Sequence, residues 1–276
     1  MKKFPALLLL MVLFLAFLPA AADDQIPQSQ MLDQARHALQ GVLNQMDDNL
    51  TAAASSLTVL PPNTPDSDKV LDKLSQSLPG MVDCAMINTD GIVTAVKPDD
   101  YMRFEGKDIS DQAQFSKLRK TLKPVTSRLF SSEEGYESIA FQYPIITPQG
   151  NWIGAVSALT DITTFVGSVL EPLNKEGAQK YYFTVMQKDG WIVYDSDPAQ
   201  IGLNLFKNPI YQKQTELLKA GKDFCQKAAG TEVYTATYQK TNYTVKSMWD
   251  TVVLYGTEWR IIVENIIGEK APIPGK

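Results

Sequence analysis

From Leu32 onward, apolar residues recur at Ala35, Leu39, Val42, Met46, Leu50, Ala53 and Leu57, in steps of three and four. That spacing places them on one stripe of a helix of about eight turns. Pro61-Pro62 ends it, since proline lacks the N–H and its ring crowds the preceding turn. Asp23–Gln30 ahead of it reads as a polar lead. The stripe admits two readings: a stalk that dimerises or carries a signal, and a helix that lies along the domain and covers its core. A short second helix is predicted at about Ser67–Ser77.

Beyond Pro79-Gly80 the pattern changes to short apolar runs, and the same series occurs twice. Val82–Val96 and Phe183–Tyr194 are each an apolar strand, an Asp-Gly turn (Asp90-Gly91, Asp189-Gly190) and a second strand. Asp-Gly suits a tight hairpin because both central positions tolerate positive φ. Gly106–Phe115 and Gly202–Tyr211 each read as a glycine turn entering a short helix that ends on an aromatic. Gly135-Tyr136 and Gly230-Thr231 each precede strands, and Trp152 and Trp259 each head a closing strand. The remaining strands are predicted at about Pro124–Leu129, Tyr136–Ile146 and Asn151–Leu159, then Val233–Gln239, Tyr243–Leu254 and Trp259–Val263. The fold class is α+β: a long N-terminal helix and two modules, each a curved antiparallel sheet flanked by helices.

Composition removes several functions. The 276 residues carry a formal net charge of -5 and no long basic run, so no nucleic-acid partner is expected. His37 is the one histidine and falls between stripe positions on the long helix, as a surface residue, which removes most hydrolase triads and imidazole metal sites. Cys84 and Cys225 form neither a redox CxxC nor a metal knuckle; one disulfide between them is left open. No phosphate-cradling glycine loop occurs, and Asp66-Ser67-Asp68 and Asp195-Ser196-Asp197 lack the glycine and distal glutamate of a calcium loop. No cofactor, metal or catalytic residue is expected.

Lys2-Lys3, the apolar run Phe4–Leu18 and Pro19-Ala20-Ala21-Ala22 before Asp23-Asp24 form a secretory leader at 1–22. The expected product is secreted or periplasmic; the alternative is an uncleaved N-terminal anchor.

In order, the long helix, the paired Asp-Gly hairpins, the turn Gly106-Lys-Asp-Ile-Ser-Asp-Gln-Ala-Gln-Phe115 and the run Tyr143-Pro-Ile…Gly150-Asn-Trp-Ile-Gly-Ala-Val156 resemble a double Cache sensor domain, the PAS-like extracytoplasmic part of chemoreceptors and sensor kinases. The resemblance covers about Gln28 to Ile267. It implies a stalk and connector over 23–80, a membrane-distal-type module over 81–170, a membrane-proximal-type module over 171–268 and a tail at 269–276. It also implies a small ligand in the first module, of the amine, amino-acid or carboxylate class.

Departures from the family pattern narrow that class. Gln112 stands where an arginine grips a carboxylate, Gln114 replaces an aromatic, and Phe115 keeps its aromatic character. Phe130 occupies a tyrosine position and Ser132 an aspartate position. Asp161 matches the aspartate used for an amine, with a helix N-cap as its alternative role. Tyr136 and Tyr143 are further candidates, with sheet packing as theirs. The implied ligand is an amine or other small polar metabolite. The sequence stops at Lys276 without an output domain, so signalling is expected to pass to a membrane receptor or transporter partner. The alternatives are a non-catalytic scaffold that homodimerises through the long helix, and a solute-binding component of a transport system.

Overall fold

The computed structural model describes residues 26–174, 181–238 and 241–270; the leader lies outside them, as does most of the tail. Helix α1 (Gln28–Leu57) begins within the polar lead. Gln28 is buried there, and its Nε2 donates to the carbonyls of Lys246 (2.8 Å) and Val263 (2.9 Å). Those bonds let a polar side chain stand in the core. Helix α2 (Pro65–Ser75) starts on a capping box between Thr64 and Ser67 with proline at its first position.

The first sheet comprises β1 (Met81–Ile87), β2 (Val93–Lys97), β3 (Val125–Thr126), β4 (Phe130–Ser131), β5 (Glu137–Ile146) and β6 (Trp152–Asp161). Helix α3 (Ala113–Thr121) crosses from β2 to β3, and α4 (Ile162–Leu170) follows β6. The second sheet comprises β7 (Tyr182–Gln187), β8 (Ile192–Asp195), β9 (Gly230–Tyr238), β10 (Thr241–Leu254) and β11 (Thr257–Lys270), with α5 (Thr215–Gln226) between β8 and β9. The strand orders are β2-β1-β6-β5-β3, with β4 also on β5, and β8-β7-β11-β10-β9. All pairings are antiparallel, and the two orders are the same path drawn twice. The copies even share a register shift in the first hairpin and one isolated bridge, Ile92 to Asp108 and Trp191 to Asn204.

Local expectations are corrected at four places. In the hairpin turns the glycine alone takes positive φ (Gly91 at 93°, Gly190 at 87°), and Asn88 Oδ1 accepts from the amides of Asp90 and Ile92. Phe115 lies in the first turn of α3 rather than at a helix end. In the second copy Tyr211 closes a single 3-10 turn and α5 comes after it. The strand expected at Pro124–Leu129 shortens to β3, because the Ser127 hydroxyl takes the Ala140 amide in place of a backbone carbonyl, and β4 forms beyond the expected bounds.

The α1 stripe is spent inside the chain. Leu39, Met46, Leu50 and Leu57 are fully buried in one apolar cluster with Phe141 and Phe165 of the first module and Phe183 and Val263 of the second. Burying each such side chain contributes roughly 1.5–3 kcal/mol. The helix therefore covers core, and its apolar stripe is not a face through which a second copy dimerises. Polar contacts repeat the attachment: Arg36 pairs with Asp250 (3.2 Å), and Tyr255 donates to Asp47 (2.8 Å). Cys84 and Cys225 are both free thiols, so the disulfide left open by the sequence does not form. Among the described residues no helix is long and apolar enough to cross a membrane.

Candidate functional site

The face of the first sheet turned away from α1 carries a cavity of about 300 Å³. Its floor follows from the strand register. Asp83 on β1, Leu159 on β6 and Ala140 on β5 form one cross-strand row, and Ala85, Ser157 and Gln142 form the next. The side-chain period of two sends both rows to the same face. Phe104, Lys107, Ile109, Gln112 and Gln114 enclose it from the segment leading into α3, and Phe130 through Glu134 close the side from β4. Gly154 on β6 is required where the sheet is tightest, since a Cβ there would lie 2.2 Å from the Ile87 carbonyl oxygen.

The polar groups of the cavity are unevenly satisfied. Gln114 Nε2 donates to Gln112 Oε1 (2.7 Å), so those two amides hold each other. Lys107 is ion-paired with Glu133 and lies 5.5 Å from the centre of the Phe104 ring. Gln142, 1% exposed, and Ser132 each keep a buried side-chain oxygen without a hydrogen-bond partner among the described residues. A buried acceptor left so costs roughly 1–3 kcal/mol until something donates to it.

Asp83 is the most perturbed group here. It is 8% exposed, and desolvation, reinforced by the charge of Glu134, pushes its carboxyl up to about 7. Tyr101, hydrogen-bonded to Tyr136, lies close enough that burial first, then Tyr136, Asp83 and Glu134, raise its hydroxyl above the ordinary value. Among the described residues Lys107 is the one cation lining the cavity, and it is already paired. Asp83 and Glu134 thus face the space without a base between them.

Of the residues singled out in the sequence, Gln112, Gln114, Phe130 and Ser132 line this cavity. Asp161 does not: it is the N-cap of α4, accepting from the Thr163 amide (3.1 Å) and the Thr164 hydroxyl (2.6 Å). Phe115 is fully buried beneath the site against Trp152. Tyr143 points to the α1 side of the sheet, edge-on to Tyr255. Tyr136 is exposed and reaches the site only through Tyr101. Asp83, Gln142 and Ser157 were not anticipated. Their signal is a polar residue within each of the apolar strands Met81–Ile87, Glu137–Ile146 and Trp152–Asp161.

Comparison with known proteins places this geometry. Residues 41–161 match the family described as HK/GC/Chemotaxis protein-like, sensor domain. An extracellular ligand binding receptor from Desulfohalobium retbaense superposes with a TM-score of 0.71 at 25% identity, over 86% of this chain and 40% of that one. The fold is that of a Cache-type sensor domain. The ligand-binding domain of the Pseudomonas fluorescens chemoreceptor CtaA, in complex with L-serine, superposes on this chain with a TM-score of 0.63 at 14% identity, covering 86% of this chain and 95% of that one. For the Pseudomonas aeruginosa amino acid chemoreceptor PctB, in complex with L-Gln, the TM-score is 0.61 at 16% identity, with 87% and 90% covered. The chain therefore spans less than half of the Desulfohalobium receptor. No curated protein matches it.

Proposed function

We propose that the chain is a ligand-binding sensor module, secreted or periplasmic, that holds a small amine in the cavity of its first module and reports occupancy to a partner protein. The observation that carries the amine is Asp83, a buried carboxyl facing a cavity whose lining cation among the described residues, Lys107, is already paired. A carboxylate ligand would meet the charge of Glu134 and a second carboxyl at Asp83, whereas an ammonium group is attracted to Glu134 and to Asp83 once ionised. Gln142 and Ser132 supply the neutral acceptors for its further N–H groups. The neighbours that bind amino acids support a small polar ligand, and Gln112 in place of an arginine argues against a carboxylate grip.

A thermal-shift panel of primary amines, α-amino acids and dicarboxylates tests this. A ligand at one hundred times its dissociation constant adds about 2.7 kcal/mol. The amines should raise Tm; a rise confined to dicarboxylates would overturn the reading.

The scaffold alternative needs the α1 stripe free for a second copy and no ligand-sized space in the first module. The cavity and the burial of the α1 stripe both weigh against it.

A further inference from the structure

The groups around Asp83 bear on more than ligand charge. From β6 and β5 it meets Leu159 and Ala140, which offer no counterion. From the loop after β4 comes Glu134, of like sign, and from the 3-10 turn Asp99–Phe104 comes the Tyr101 hydroxyl bonded to Tyr136. Of the bases on neighbouring elements, Lys107 is paired with Glu133 and Lys97 with Asp68 (3.0 Å) and Asp99 (2.6 Å), while Arg103 donates to the Asp100 carbonyl and lies over the Tyr101 and Phe104 rings. Among the described residues no hydrogen bond reaches the Asp83 carboxyl, so in the empty cavity nothing stabilises its charge against burial. Cys84, the next residue, projects to the opposite face into the α1-side core.

We propose that a cationic amine and a proton compete for Asp83, so that the sensor domain binds its ligand with release of a proton and reads amine concentration and pH together. This rests on the amine reading above. The balance is simple: the neutral carboxylic acid gives its proton to solvent, the carboxylate so formed accepts N–H donation from the ammonium, and the ligand's own proton stays on nitrogen. The carboxyl, pushed up to about 7 in the empty cavity, is then held ionised by the bound cation. The unpartnered Gln142 oxygen, 1% exposed and lining the same space, accepts a second N–H and keeps the ammonium there whatever the state of Glu134.

The test is calorimetric titration of the intact protein with 1,4-diaminobutane, whose amines stay protonated throughout, from pH 5.5 to 8.5 and in two buffers of different ionisation enthalpy. Affinity should rise about 30-fold across the range, approaching tenfold per pH unit at the acid end where one proton is exchanged, and level off above pH 7.5. At pH 6 the buffer dependence should report close to one proton released per ligand. Asp83→Asn should flatten the profile and abolish the release. Glu134→Gln, by removing the like charge, should shift the inflection to lower pH while leaving the release intact. Binding with a flat profile and no proton release would overturn the coupling and leave the amine reading standing. Failure of 1,4-diaminobutane to bind at any pH, with the thermal melt unchanged, would overturn both.

Discussion

Gln40 on α1 and Val253 on β10 exchange two hydrogen bonds: Gln40 Nε2 donates to the Val253 carbonyl and the Val253 amide donates to Gln40 Oε1, each at 3.0 Å. A side-chain amide here does the work of a neighbouring strand, and it ties the helix crossing the first module to the longest hairpin of the second. Gln40→Ala leaves both backbone groups to water at a partly exposed site, a loss of about 1 kcal/mol. The expected fall in Tm is about 2–4 °C, read by calorimetry, with amine affinity unchanged.

Leu50 sits deeper on the same helix and is fully buried among residues of both sheets. Leu50→Ala should cost roughly 2–5 kcal/mol. Because α1 is shared, both modules should melt in one earlier transition. Two separated transitions, only one of them shifted, would contradict a common core.

Asp161 separates capping from binding. Asp161→Ala removes the N-cap of α4 and should cost about 0.5–2 kcal/mol of stability, while amine affinity stays within twofold of wild type. A loss of binding larger than the loss of stability would return Asp161 to the ligand site.

Asp195, at the end of β8, is pushed up to about 7, chiefly by burial, against the pull of hydrogen bonds from Thr184 Oγ1 (2.7 Å) and the Asp197 amide (2.8 Å), with Glu264 and Asp197 raising it further. A carboxyl raised on folding keeps its proton in the native state between about 4 and 7 while the unfolded chain has lost it. Its contribution to stability is thus complete at acid pH and is lost as pH rises through 7. Asp83 acts in the same direction. The unliganded protein should therefore melt lower at pH 8 than at pH 5, and Asp195→Asn should recover about 2–4 °C at pH 8. A Tm for Asp195→Asn below wild type at pH 8 would contradict this.

Much of the architecture was legible because it rests on repeating features. The 3-and-4 stripe of α1 marks one long helix, and the Asp-Gly hairpins and the tryptophans near the starts of β6 and β11 recur in the same order in both sheets. What the stripe faced was not legible: periodicity shows that Leu39 and Leu50 share a side, not whether a second copy or the chain's own sheets cover it. The site was half legible for a similar reason. Gln112, Gln114, Phe130 and Ser132 follow the turn and short strand that the motif brings to the cavity, so matching positions placed them in its lining. Asp161 also matched, but its two oxygens are taken by the first turn of α4, a local competition that a position match does not weigh. Asp83 lies within an apolar strand, where the departure from pattern is the signal: a carboxyl in a buried row needs a partner, and the described residues provide none.

The central claim, an amine held by Asp83 in the first module, is tested most directly by a crystal of the protein grown with 1,4-diaminobutane at pH 8. The account predicts density in the cavity with one ammonium nitrogen within hydrogen-bond distance of the Asp83 carboxylate and further N–H donation to Gln142 or Ser132. An empty cavity at saturating amine, or the amine seated against Asp161 instead, would contradict it.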